Sequence, residues 1–328
     1  MMGINRRMLL GTAVAGICSG LAPRAFSRED WPSRPVKIVS PYGVGGPNDL
    51  SARMIGDYLA RHLGQAFIVE NKTGAGTRVG NSFVAHAPND GYTILYAAAP
   101  YATLEALYGP LQYDPRKDLQ PVAMTAVAPL FLVVNAKTSI GSVKDLISYG
   151  KAQSKGLTFG SPGYGSLPHL ASELLFRNAK VKGLTVQYRG DVAAYTDLLA
   201  GGRIDATLTA ITAALPHIRS GSLRVLGVAS AKPSAIYPAA TPLSEQGLSD
   251  VVASGWYGFM APAAVPADIV KRLDDQINRA LSDPDIQQKL SALGLESRQS
   301  NATQFGQFID AETRKWSQII KAAGIKGT

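Results

Sequence analysis

The chain has 328 residues, with 33 Lys and Arg against 24 Asp and Glu (formal charge +9), one cysteine and four histidines. Charged residues make up 17% and apolar residues 46%, against about 25% charged in an average soluble domain. That excludes a disordered chain and supplies ample core material. A single cysteine excludes an internal disulfide framework and a thiolate zinc cluster, and the length suggests two domains.

In chain order, the first 27 residues read as an export signal. Arg6-Arg7 precedes an uncharged run from Met8 to Pro23, and Ala25-Phe26-Ser27 fits a cleavage site. The run is too short and too Gly-rich to span a bilayer well. The arginine pair suits the twin-arginine route, and the general route fits as well. A lipid anchor at Cys18 is disfavoured by Ile17, where a small residue is usual. Cleavage after Ser27 leaves 301 residues without cysteine and lowers the charge to +6, because three arginines and no acid depart. No later apolar run is long enough for a transmembrane helix.

Val36 to Ser40 reads as a strand, followed by Pro41-Tyr42-Gly43-Val44-Gly45-Gly46 and a helix carrying Leu50, Met54, Ile55, Leu59 and Leu63, with Gly64 as its stop. Phe67 to Glu70 and Tyr92 to Tyr96 are strands around a helix from Val79 to Ala87. This βαβαβ alternation predicts a parallel sheet with helices on its faces. The pattern then restarts. Strands at 130–134, 157–160, 185–188, 204–208 and 224–228 alternate with helices that open at Ser142, after Ser166 and at Arg189-Gly190-Asp191. Trp256 to Met260 is a strand, and the tail is helical over 268–280, 283–293 and 302–323. The C-terminal helices are surplus to the second lobe and are expected to pack on the first. The chain would then cross between lobes twice. The expected lobes are 28–128 with 253–328, and 129–252.

Three turns carry the chemistry. Gly43 to Asp49 joins a strand to a helix N-terminus, where unpaired backbone N–H groups and the helix dipole favour an anion. Glycine lets a ligand approach the backbone. A dinucleotide fingerprint would draw on Glu70 at the end of the second strand, but its third glycine position is Asn48. A plain capped helix, with Asn48 or Asp49 near the cap, is compatible with anion binding. Ser161-Pro162-Gly163-Tyr164-Gly165-Ser166 repeats these physics, and its two hydroxyls are candidate carboxylate donors. Ser161 does not fit a nucleophile elbow, since Phe159 stands where glycine is required. In Tyr188-Arg189-Gly190-Asp191, Arg189 can pair with an anion, while Asp191 either caps its helix or meets ligand. His62, His86, His169 and His217 lack metal-ligand spacing, and only His169 falls near a candidate turn. The positive charge is scattered, which argues against nucleic acid.

Together these residues resemble the receptors of tripartite tricarboxylate transporters, the Bug family. The blocks are Trp31 to Val36, Pro41-Tyr42 with Gly45 to Asp49, Val69 to Gly76, Pro88 to Thr93, Tyr188 to Gly190, Asp197 to Gly202, Leu215 to Ile218, and Trp256 to Gly258 with Ala261-Pro262. They cover essentially the whole chain after the signal.

The resemblance implies an α/β, two-lobed periplasmic binding protein of type II. Each lobe would be a mostly parallel sheet flanked by helices, with two crossover segments. It implies a monomeric receptor, not an enzyme, without metal or cofactor. Such a receptor holds a small organic carboxylate between lobes and delivers it to a two-component integral membrane permease. A sensor module presenting the ligand to a signalling partner is the alternative. By similarity, the ligand meets Tyr42, Gly45, Gly46, Pro47, Asn48 and Asp49; Ala98 and Ala99; Ser161, Gly163, Tyr164, Gly165, Ser166 and His169; Arg189, Gly190 and Asp191; and Thr209.

Two positions depart from the family pattern. Ala98-Ala99 replaces small polar residues, and Asp191 replaces a small neutral one. A cleft-facing Asp191 would repel a second carboxylate or receive a cation. Tyr42, Tyr101, Tyr164 and Trp256 are expected to wall the ligand's carbon skeleton, which suggests an apolar or aromatic carboxylate.

Overall fold

The computed structural model describes residues 31–327, so the export signal lies outside the described residues. In order, the elements are β1 (Val36–Ser40), α1 (Pro47–Leu63), β2 (Phe67–Asn71), α2 (Arg78–Ala85), β3 (Thr93–Ala98), α3 (Leu104–Tyr108), β4 (Leu119–Asn135), α4 (Val143–Ala152), β5 (Leu157–Ser161) and α5 (Leu167–Ala179). They continue as β6 (Gly183–Gln187), α6 (Asp191–Ala200), β7 (Ala206–Ala210), α7 (Ile211–Arg219), β8 (Leu223–Val228), β9 (Ser254–Pro262), α8 (Ala267–Ser282), α9 (Pro284–Ala292), β10 (Glu296–Ser297) and α10 (Ala302–Ala323).

The strand order is β2-β1-β3-β9-β4-β7-β5-β6, with β8 and β10 also on β4. One strand therefore serves two sheets. Leu119 to Pro129 of β4 pair with β9, and Leu130 to Asn135 pair with β7 and β8. Parallel pairing holds where βα units build each sheet, β1 with β2 and β3, and β5 with β6 and β7. The crossover strands pair antiparallel, β9 with β3 and β4, and β4 with β7 and β8. Parallel character thus ends where each sheet meets a crossover strand, a limit on the expected mostly parallel lobes.

Local sequence explains most elements. α1 starts with Pro47 in its first turn and stops at Gly64, whose φ of 74 suits glycine and whose N–H bonds Ala60 O. Its inner face packs closely because Gly56 has no Cβ to meet Ile38 and Phe67. Ser142 caps α4 by accepting from Asp145 N–H, and Asn301 with Gln304 forms a capping box on α10. The fully buried run Phe131 to Val134 makes β4 readable as a strand.

Four elements were not foreseen: the first half of β4, α3, α7 and β10. Pro121 and Pro129 interrupt the first half of β4 as a pattern, and its register shifts there between Pro121 and Ala123 and between Met124 and Ala126. α7 contains Pro216, which reads as a helix breaker. The tail also needs correction. α10 does not pack on the first lobe alone: Phe305 and Ile309 join a cluster with Leu95, Tyr101 and Trp256, whereas Trp316, Ile319 and Ile320 join the core around Phe159, Leu170 and Leu208.

Candidate functional site

The predicted turns lie at the C-terminal ends of parallel strands, where open α/β sheets leave backbone groups free for ligands. Two groups result. β1 and β3 carry the first, which includes Tyr42 to Asp49 with Ala98 and Ala99. The second is carried by β5, β6 and β7, with Ser161 to Ser166, Arg189 to Asp191 and Thr209.

In the first group Gly46 is the N-cap of α1 without a side-chain cap, so neither Asn48 nor Asp49 caps the helix. Both side chains are spent internally. Ser40 Oγ donates to Asn48 Oδ1 at 2.7 Å, and Asn48 Nδ2 donates to Tyr96 O at 3.2 Å. Asp49 is fully buried and accepts from Gly45 N–H at 2.9 Å, Asn71 Nδ2 at 2.8 Å and Arg53 Nε at 3.1 Å. Burial pushes its pKa up, but these hydrogen bonds and the Arg53 charge outweigh burial and hold it below the ordinary value. Gly45, with φ 85, supplies the left-handed residue the turn needs. What this turn offers a ligand is backbone: Asn48 and Asp49 are the second and third residues of α1, whose N–H groups have no intrahelical acceptor.

The second group is likewise self-bonded. Ser161 is fully buried, and its Oγ lies 3.1 Å from Gly163 O and 3.0 Å from Ser166 Oγ. It therefore holds the turn from within, contrary to the expectation that it donates to a carboxylate. Ser166 caps α5. His169 is 4% exposed, and its Nδ1 accepts from Gly165 N–H at 3.0 Å. Burial lowers its pKa, so the ring is neutral with its proton assigned to Nε2. Its role in the geometry is to brace the Gly165 turn, whereas a cleft-lining ring was expected. Tyr164 is half exposed above it, 4.9 Å ring to ring.

Two bonds fasten the third turn to the second, Tyr188 N–H to Ser161 O at 2.8 Å and Gly190 N–H to Pro162 O at 3.2 Å. Gly190, with φ 96, is the N-cap of α6, and Asp191 follows as its first residue without capping it. Thr209 Oγ1 lies 3.5 Å from Asp191 Oδ1 and also bonds Tyr195 Oη. Arg189 is exposed.

The aromatic wall differs from expectation. Trp256 is fully buried among Phe305 and Phe308, and Tyr101 donates its hydroxyl to Pro115 O at 2.5 Å. Neither faces the turns. Tyr257, on the opposite face of β9, takes that place. It pairs with Ala98 across the sheet and stacks on Tyr96 with centroids 6.1 Å apart. Burial, reinforced by the neighbouring Tyr257, pushes the Tyr42 hydroxyl far up, and burial alone raises that of Tyr257. The alternation of a strand carries the signal that separates Trp256 from Tyr257, but both residues are aromatic, so pattern alone leaves open which of them faces in. A separate groove of about 460 Å³, lined by Val127, Lys232, Ser254, Arg298 and Glu312, contains none of the predicted residues. Among the described residues no group of three or more His, Cys, Asp or Glu is arranged to hold a metal, and no helix is long and apolar enough to cross a membrane.

Two α/β lobes bridged by antiparallel crossover strands, each presenting helix N-termini at its strand ends, define the periplasmic-binding-protein architecture. Residues 51–325 match the family described as tripartite tricarboxylate transporter family receptor, TctC. The chain belongs to this family, which is made of periplasmic solute-binding receptors and not enzymes. It is 33% identical over 316 residues to Protein BugT of Bordetella pertussis, covering 96% of this chain and 95% of that one. Among solved structures, Rpa4515 of R. palustris with adipate is 31% identical with a TM-score of 0.75, covering 91% of this chain and 100% of its own. MatC of Rhodopseudomonas palustris with bound malate is 29% identical with a TM-score of 0.70, covering 88% and 99%.

Proposed function

We propose that this chain captures a small organic carboxylate between its lobes outside the cytoplasmic membrane and delivers it to a two-component permease. The observation that carries the reading is the α1 N-terminus. Its side chains are committed inward to Ser40, Tyr96, Arg53 and Asn71, which leaves the backbone N–H groups of Asn48 and Asp49 to meet an anion. Adipate and malate in the two related structures are ligands of matching chemistry. The second lobe contributes the Ser166-capped start of α5, and the three turns with Ala98, Ala99 and Thr209 form the candidate lining, with Tyr257 added and with Ser161 and His169 bracing it from behind.

Residues 28–128 with 253–328, and 129–252, form the two lobes of this reading, with α10 as a strap over both. Removal of residues 1–27 releases a monomeric receptor. Closure about the crossover strands then brings the two groups of turns onto the ligand. Each charge-assisted hydrogen bond contributes about 1.5–3 kcal/mol, so a few suffice for a micromolar complex near −8 kcal/mol once ordering costs are met.

The test is mass spectrometry of small molecules released on denaturing the purified protein, followed by uptake assays with that molecule in a strain lacking the receptor. A released carboxylate whose uptake falls with the deletion is expected. A non-carboxylate ligand refutes the ligand class, and undiminished uptake refutes the transport role.

A further inference from the structure

The two lobes each place an acid in the first turn of the helix that follows a candidate turn, and the two acids are treated differently. Asp49 is matched by Arg53, Asn71 and Gly45 N–H. Asp191 has only Thr209, at the 3.5 Å limit and on one oxygen, and among the described residues no cationic side chain pairs with it. Arg189, two residues earlier, is exposed and forms no ion pair with it. Favourable interaction with the α6 dipole explains an acid at this position. It does not explain why the carboxylate is half-buried, where burial disfavours its charged form.

Placement sharpens the point. Asp191 is bracketed by the strand ends of its lobe: β6 leads into it, Thr209 of β7 reaches it, and Gly190 N–H ties its turn to Pro162 after β5. Resting on the carboxylate reading above, we propose that Asp191 is a specificity residue that receives a cationic group, so that the ligand is a small zwitterion carrying one carboxylate and one amine. The carboxylate meets the α1 N-terminus, and the ammonium group fills the missing partner of Asp191. A dicarboxylate would instead put a second negative charge against a carboxylate that no cation among the described residues neutralises.

The experiment is titration calorimetry at pH 7.5 on protein freed of ligand by unfolding and refolding. Probes are ω-amino acids and α-amino acids against α,ω-dicarboxylates of equal length, three to six carbons. We expect an amino acid to bind at least tenfold tighter than its length-matched dicarboxylate. The isosteric variant Asp191→Asn should lose that preference by tenfold or more while dicarboxylate binding holds or improves. Tighter dicarboxylate binding by the unsubstituted protein overturns the inference and leaves the carboxylate reading standing. So does an amino-acid preference that Asp191→Asn leaves unchanged. Binding of neither series also overturns the inference, while the carboxylate reading stands or falls with the ligand released on denaturation. Circular dichroism and Tm of the variant separate a folding defect from lost specificity, and 4-aminobutyrate against Asp191→Glu, which keeps the charge, should bind within about tenfold of the original.

Discussion

Asp49 shows how much of this site is scaffolding. It is an acid in the first turn of a helix that opens a binding turn, yet both its oxygens are taken up by Gly45 N–H, Arg53 and Asn71. Asp49→Ala would strand Gly45 N–H and Asn71 Nδ2 and release Arg53, itself partly exposed and so able to regain water. The expected cost is about 2–3 kcal/mol, set by hydrogen bonds to a charged group and discounted for the exposed guanidinium; chemical denaturation measures it. The pH dependence follows from the depressed pKa. The folded state binds the proton less well, so the stabilisation is complete above about pH 4, the unfolded value, and disappears as pH falls through the folded one. His169 is also depressed, by burial. Native protein therefore binds fewer protons than unfolded chain just below about pH 6.5, and stability falls as the pH drops through that window. In His169→Asn, whose Oδ1 can still accept from Gly165 N–H, the loss of Tm between pH 6.5 and pH 5 should be smaller. An unchanged slope would show that the imidazole does not titrate in this way.

At the scale of elements, the first turn separates stability from binding. Gly46 has φ −78, open to any residue, and a Cβ there would meet only Gly43 O at 3.9 Å. Gly46→Ala should therefore cost less than about 1 kcal/mol, as expected for an N-cap glycine replaced by alanine. A methyl group at the mouth of the α1 N-terminus nevertheless stands where a ligand must approach the backbone. Paired thermal melts and calorimetry should show Tm within a few degrees and affinity for the native ligand reduced tenfold or more. Equal affinity would place the carboxylate elsewhere. Gly80 makes the opposite case. A Cβ there would lie 2.8 Å from Lys72 O and 2.9 Å from Pro41 Cβ, so α2 seats against the start of the same turn only because glycine occupies that point.

Across the whole molecule, α10 couples the two lobes. Its N-terminal half lies in the core beside Trp256, and its C-terminal half lies in the core beside Phe159. Trp316, 1% exposed, donates Nε1–H to Glu312 Oε2 at 2.8 Å, and Lys315 pairs with Glu312 and reaches Val252 O at 3.0 Å on the return crossover. Trp316→Ala should cost about 3–5 kcal/mol. Because the strap spans both cores, differential scanning calorimetry of the unsubstituted protein should show a single transition, which Trp316→Ala shifts downward. Two transitions in the unsubstituted protein would show that α10 does not couple the lobes.

Much of this was legible in the sequence. Turn chemistry is local: Gly45-Gly46-Pro47 must turn and start a helix, Gly64 must end it, and Ser142 and Ser166 must cap. Those constraints act over a few residues, so the βα units, the three candidate turns and the family could be read before any fold was known. Tertiary structure decided what depends on distant neighbours. It turned Asn48 and Asp49 inward, because the groups that satisfy them, the Tyr96 carbonyl and the Asn71 side-chain amide, arrive from other strands, whereas Ser161 and His169 are held within their own turn by Gly163 and Gly165. It chose Tyr257 over Trp256, since only the pairing of β9 with β3 says which face of the crossover strand meets Ala98. It also left Asp191 with Thr209 and, among the described residues, no cationic partner, because an ion pair requires another part of the chain to arrive with the charge.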